Sequence, residues 1–150
     1  MKEKGYRTLK GFLEGDEPDD ENYFAYSASL RIFGDINDLN VITKNLGFEP
    51  TSVHKKGERK GPKSPPYKTD MWAYEAKIDE EATLEQHIDE LWNKLKPHKK
   101  YLLDLKKTLT VDVFMGYRSN CDTAGVEIPY TSLEMFTELK IPFGLSIIVA

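Results

Sequence analysis

The residues best suited to chemistry in this chain are basic. Lys55, Lys56, Arg59, Lys60 and Lys63 follow His54 within "GFEPTSVHKKGERKGPKSPPY", residues 47–67, where Glu58 is the only acid beyond His54. Clustered ammonium and guanidinium groups attract phosphate oxygens and acidic protein surface. Pro62, Pro65 and Pro66 keep the stretch out of helices and sheet ladders. The pattern points to an anion-contacting loop, for an acidic protein patch or nucleic-acid phosphate, with His54 and Tyr67 at its edges. A solvated connection that merely carries lysines is the competing reading. A P-loop or dinucleotide cradle is excluded, because it needs a glycine-rich turn running into a helix N-terminus, and this loop runs toward a strand.

A second cluster is "YRSNCDTAG", a turn-like string directly after a strand pattern, where a reactive group could be displayed. Arg118, Ser119 and Asn120 either hold a ligand there or shape the turn. Cys121 is the chain's single cysteine, so no internal disulfide and no CxxC site exists. A catalytic thiol needs a base within hydrogen-bond reach, and spacing places no histidine beside Cys121, which favours an ordinary loop cysteine. His87 and His98 fall nearly on one helix face, but at 1.5 Å rise per residue they stand roughly 16 Å apart, too far to share an ion. They read as two partly exposed helix histidines. The expectation is therefore no metal, no cofactor and no assembled catalytic residue. Trp72, Tyr74 and Trp92 read as packing ahead of base-stacking platforms.

The elements that must position these groups follow from periodicity. "YSASLRIF" alternates Tyr26, Ala28, Leu30 and Ile32 against Ser27, Ser29 and Arg31, a strand with one buried face. Asp35 or Asp38 caps a helix bearing Leu39, Ile42 and Leu46, and Gly47 ends it. "TSVHK" and "DMWAYEAKI" are strands on either side of the basic loop. Thr83 and Gln86 form a capping-box pair before Leu84, Ile88, Leu91 and Leu95. Asp79, Glu80, Glu81 and Glu85 near the start of this helix, and Lys94, Lys96, Lys99 and Lys100 toward its end, complement its dipole. Pro97 ends or kinks it, and "LTVDVFMG" is the next strand. Beyond it "AGVEIPY" reads as a strand, Thr131 with Glu134 as a second capping pair, and "FGLSIIV" as a terminal strand.

The order β-α-β-β-α-β, followed by β-α-β, predicts an α+β two-layer sandwich. Its sheet is mainly antiparallel, with ferredoxin-like elements and helices on one face. Residues 1–22 read as an arm and the acidic linker "EGDEPDDE", and residues 23–150 as one domain. A net charge of −4 counts against a general nucleic-acid binder. No apolar run reaches the roughly 18 residues of a membrane span, and the N-terminus lacks the apolar stretch of a signal peptide, so the expected location is the cytoplasm.

The blocks "ASLRIFGD", "LGFEPTSVHKKGE", "MWAYEA", "LEQHIDELWNKLKP" and "LTVDVFMGYRSN" together resemble the bacterial family called domain of unknown function 4279, over about residues 26 to 149. His54, Gly57 and Trp72 match its motif, and the basic insert after Gly57 is less typical of it. The resemblance implies a fold boundary and no activity. The binding candidates are therefore His54, Lys55, Lys56, Arg59, Lys60, Tyr67 and Trp72 around the loop, and Arg118, Ser119 and Asn120 at the turn. The favoured expectation is a non-catalytic interaction protein with a protein partner, such as an immunity or adaptor protein, with a homodimer possible through open sheet edges. A nucleic-acid accessory module using residues 54–63 and a small cysteine-dependent enzyme are the alternatives.

Overall fold

The computed structural model describes residues 21–121 and 124–149; of the expected arm and acidic linker, residues 1–22, all but the last two positions lie outside them. β1 (Phe24–Gly34) alternates as its sequence requires, with Tyr26, Ala28, Leu30 and Ile32 buried and Ser27, Ser29, Arg31 and Phe33 toward the opposite face. The chain then turns into α1 (Leu39–Leu46). Asp38 caps it by accepting the Asn40 N–H at 2.9 Å, and Gly47 ends it at φ 79°, a left-handed conformation that costs glycine little.

β2 (Ser52–His54) and β3 (Asp70–Glu75) flank the basic loop and pair antiparallel. α2 (Leu84–Leu95) begins with the expected capping box, in which Thr83 Oγ1 accepts the Gln86 N–H at 3.2 Å and Gln86 Oε1 accepts the Thr83 N–H at 2.9 Å. Pro97 sits in a 3₁₀ turn, Lys96–His98, that breaks α2 from α3 (Lys99–Leu105). β4 (Thr110–Ser119), α4 (Glu134–Leu139) and β5 (Leu145–Val149) complete the order.

The sheet order is β2-β3-β1-β4-β5. β1 lies antiparallel to both β3 and β4, while β5 joins β4 parallel. The first six elements thus reproduce the split βαβ arrangement, and β5 extends it at the edge. Helices cover one face, where Trp72, Leu30, Ile32, Leu91 and Met115 are fully buried. Each such aliphatic side chain stabilises the fold by about 1.5–3 kcal/mol. The other face carries no helix among the described residues. Arg31 spans it, held by Asp112 on the neighbouring strand through two bonds of 2.8 and 2.7 Å, between the rings of Phe33 and Phe114.

Two expectations are corrected. "AGVEIPY" forms no strand, since β1 and β5 already occupy both edges of β4 and leave residues 124–129 no ladder to join. Val126 and Ile128 pack against the core from irregular chain instead. Thr131 and Glu134 form no capping box: residues Tyr130–Leu133 wind as a 3₁₀ turn behind Pro129, with no side-chain cap on α4. Glu134 instead accepts the Trp92 Nε1–H at 2.8 Å and pairs with Lys96, and these donors hold its carboxyl below the usual range.

Candidate functional site

The candidates fall at two ends of the sheet. Along β1 the loop end is marked by Phe33, opposite Met71, and the turn end by Phe24, opposite Ser119. Nine residues of strand at about 3.3 Å each separate them by roughly 30 Å, so the two candidate clusters do not form one site.

The loop end is organised around Asp70, which is buried at 5% exposure. Its carboxylate accepts the Lys56 N–H and the Ile36 N–H, each at 2.8 Å, and pairs with Lys55 Nζ at 3.3 Å. The two backbone donors and then Lys55 hold its carboxyl below the usual range. Lys55 Nζ also donates to the Ile36 carbonyl at 2.6 Å. Within the loop the Gly57 N–H reaches the Tyr67 carbonyl, the Tyr67 N–H reaches the Glu58 carbonyl, and Arg59 donates to the Ser64 carbonyl at 2.7 Å. Gly57, at φ 90°, supplies the left-handed turn this crossing needs. His54 stacks flat on Tyr67, centroids 3.6 Å apart. Trp72 is fully buried and donates Nε1–H to Thr43 Oγ1 at 2.9 Å, which places it in the core. Lys55 and Arg59 therefore serve the loop's own conformation, while Lys60 and Lys63 extend into solvent with no hydrogen bond or ion pair among the described residues.

At the turn end Ser119 is buried and donates to Glu21, whose carboxylate also accepts the Tyr117 hydroxyl at 2.7 Å. The Cys121 N–H returns to Ser119 Oγ at 3.0 Å. The Asn120 N–H donates to the Tyr23 carbonyl and Asn120 Oδ1 accepts the Tyr23 N–H, each at 3.2 Å, so the side chain closes the pairing just past β4. Ser119 and Asn120 thus shape the turn, and Arg118 is exposed on the uncovered face. Cys121 is itself buried, and no hydrogen bond of full geometry reaches either ring nitrogen of His87, so no thiol–imidazole couple forms on that histidine.

Sequence reasoning misplaced His87. It is 2% exposed, against the expectation of a partly exposed ring, and His98 alone fits that description. Burial pushes the His87 pKa down, with the Asp79 carboxylate and the backbone of Asp79, Glu80 and Ala82 opposing. Its position was nevertheless legible: three residues after Leu84 and four before Leu91, it lies on the apolar face of α2. The ring faces Tyr26, 6.5 Å between centroids, and lines a cleft of about 430 Å³ that reaches Ser27, Gly116 and Phe114 on the uncovered side. A second concavity, about 480 Å³ and apolar, lies beside β5 among Val126, Ile128, Leu133, Phe143, Leu145 and Ile147. Among the described residues no group of three or more His, Cys, Asp or Glu side chains could hold a metal ion. No described helix is long and apolar enough to cross a membrane.

The fold and these clefts define an α+β sandwich extended by a parallel edge strand. The chain belongs to the family described as domain of unknown function (DUF4279), whose model matches residues 24–150. Neither curated proteins nor solved structures give a match.

Proposed function

We propose that this protein is a non-catalytic interaction module that takes an extended segment of a protein partner onto the free edge of β5, in the manner of an adaptor or immunity protein. The observation that carries the reading is β5 itself. Ile147, Ile148 and Val149 are 58%, 48% and 56% exposed, on a strand whose outer edge pairs with no other strand among the described residues. Exposed aliphatic edges are usually blunted by charge, proline or cover, and this one has none of these in its own five residues, "LSIIV". The apolar groove beside it supplies what strand addition needs besides main-chain bonds: a place for alternate side chains of the incoming strand. The expected occupant is a segment with apolar residues at every second position. The basic loop is a weaker candidate for nucleic acid, because its fixed conformation already engages Lys55 and Arg59.

The test compares wild type with Ile147→Lys in affinity capture under gentle salt, followed by amide exchange on the isolated complex. A stoichiometric protein lost in the variant, with slowed exchange at Leu145–Val149 in the complex, supports strand addition. A partner retained by the variant, or β5 amides that exchange at the same rate free and bound, refutes it. A concentration-dependent dimer lost in Ile147→Lys would make the occupant a second copy of this chain.

A further inference from the structure

The free edge of β5 is apolar on both faces. Exposed Ile147 and Val149 share one face with Leu145 and the apolar groove, while Ile148, also exposed, stands on the other. A cover for this edge therefore needs apolar side chains at both parities of an added strand, and it must come from a chain that can reach it.

The described chain begins beside that edge. The Glu21 carboxylate accepts the Tyr117 hydroxyl at 2.7 Å and the Ser119 hydroxyl. Tyr117 lines the groove, and Ser119 is the register partner of Val149. From Glu21 to a strand added outside β5 is about two strand spacings, roughly 10 Å. Residues 14–20 separate Glu21 from the segment "YRTLKGFL", residues 6–13. Fully extended, that connection reaches at most roughly 25 Å, enough to lay the segment along β5 without displacing any described element. We infer that residues 6–13 add as a strand to the free edge of β5 in the same molecule and cover it until a partner strand displaces them, a regulation of the site that rests on the strand-addition reading above.

The side chains match the edge. Leu9 and Leu13 fall at one parity and Tyr6 and Phe12 at the other, so an added strand offers apolar groups both to the groove and to Ile148. Arg7 and Lys10 give the new outer edge the charges that β5 lacks, the usual guard against further pairing. The five acids of residues 14–20 leave the connection no apolar group with which to compete for the same edge.

NMR on the full chain, free of any partner, tests this. The inference expects NOEs from Leu9 or Leu13 to Ile147 that arise within one molecule, read in a mixture of labelled and unlabelled chains. Leu9→Asp with Leu13→Asp should remove them and speed exchange of the β5 amides that face away from β4 about tenfold, with unchanged β1 amides as the check on folding. A cover of that strength is weak enough for a partner strand to displace it and slow the same amides further. The inference is overturned if no such NOE is found, if the NOEs arise only between molecules, or if β5 exchanges alike in wild type and variant. All of these are read without a partner, whereas the strand-addition reading stands or falls on the capture with Ile147→Lys.

Discussion

At the two ends of β1 the sheet treats its buried polar groups in opposite ways. Asp70 at the loop end is enclosed by two backbone N–H donors and Lys55, and that carboxylate ties the start of a long irregular loop to β3. His87 at the other end is enclosed as completely, but no group meets either ring nitrogen at full hydrogen-bond geometry, and the backbone of Asp79, Glu80 and Ala82 lies around the ring. A buried carboxylate met by well-placed donors organises structure, whereas an imidazole met only loosely by backbone carbonyls holds little in place. The conspicuous lysines partly serve the loop, and the inconspicuous histidine lines a cleft.

Substitutions at the loop end should show the largest structural losses. Trp72→Ala removes a fully buried indole and its bond to Thr43, and is expected to cost about 3–5 kcal/mol in urea unfolding. Asp70→Ala should follow, lowering the thermal midpoint and accelerating amide exchange at Lys56, Gly57 and Tyr67 while leaving β4 protected. Because its carboxyl is held below the unfolded value, Asp70 stabilises the fold above about pH 4, and that contribution is lost as pH falls through the lower folded value. Asp70→Ala should therefore narrow the stability gap between neutral and strongly acidic solution. Thr83→Ala, which removes the α2 cap, should cost about 1 kcal/mol. Lys60→Glu with Lys63→Glu should change stability by no more than about 0.5 kcal/mol, since both side chains are exposed and unbonded. A loss comparable to that at Asp70 would mean that the loop's outer lysines are also structural.

Much of the fold was legible because its signals are local. The alternation in β1, the Asp38 and Gly47 caps of α1 and the Thr83–Gln86 box each lie within a few residues of one another. The errors came from partners distant in sequence. Residues 124–129 alternate like a strand, yet β5 takes the only edge of β4 left open by β1. Glu134 stands at capping distance from Thr131, but its partner is Trp92, 42 positions away. Asp70 gathers Ile36 and Lys56 from 34 and 14 positions away, and no local pattern announces that. His87 is a different case. It lies three residues after Leu84 and four before Leu91, so the apolar face of α2 carries it into the core, a local signal that the expectation of a partly exposed ring missed.

The most direct test of the contrast is the unfolding free energy of His87→Leu against wild type, measured at neutral pH and again near pH 5. The histidine faces Tyr26 from β1 and the Asp79 carboxylate and Glu80 from the chain after β3. With its folded pKa lowered, the unfolded chain takes up the proton first, so wild type should lose stability as pH falls below about 6.5 and the leucine variant should lose less. If His87 is buried without a structural partner, His87→Leu is more stable than wild type at neutral pH by about 1–3 kcal/mol, and the difference widens at pH 5. A variant less stable than wild type at neutral pH would show that the imidazole is held by the fold as Asp70 is, and would contradict the account.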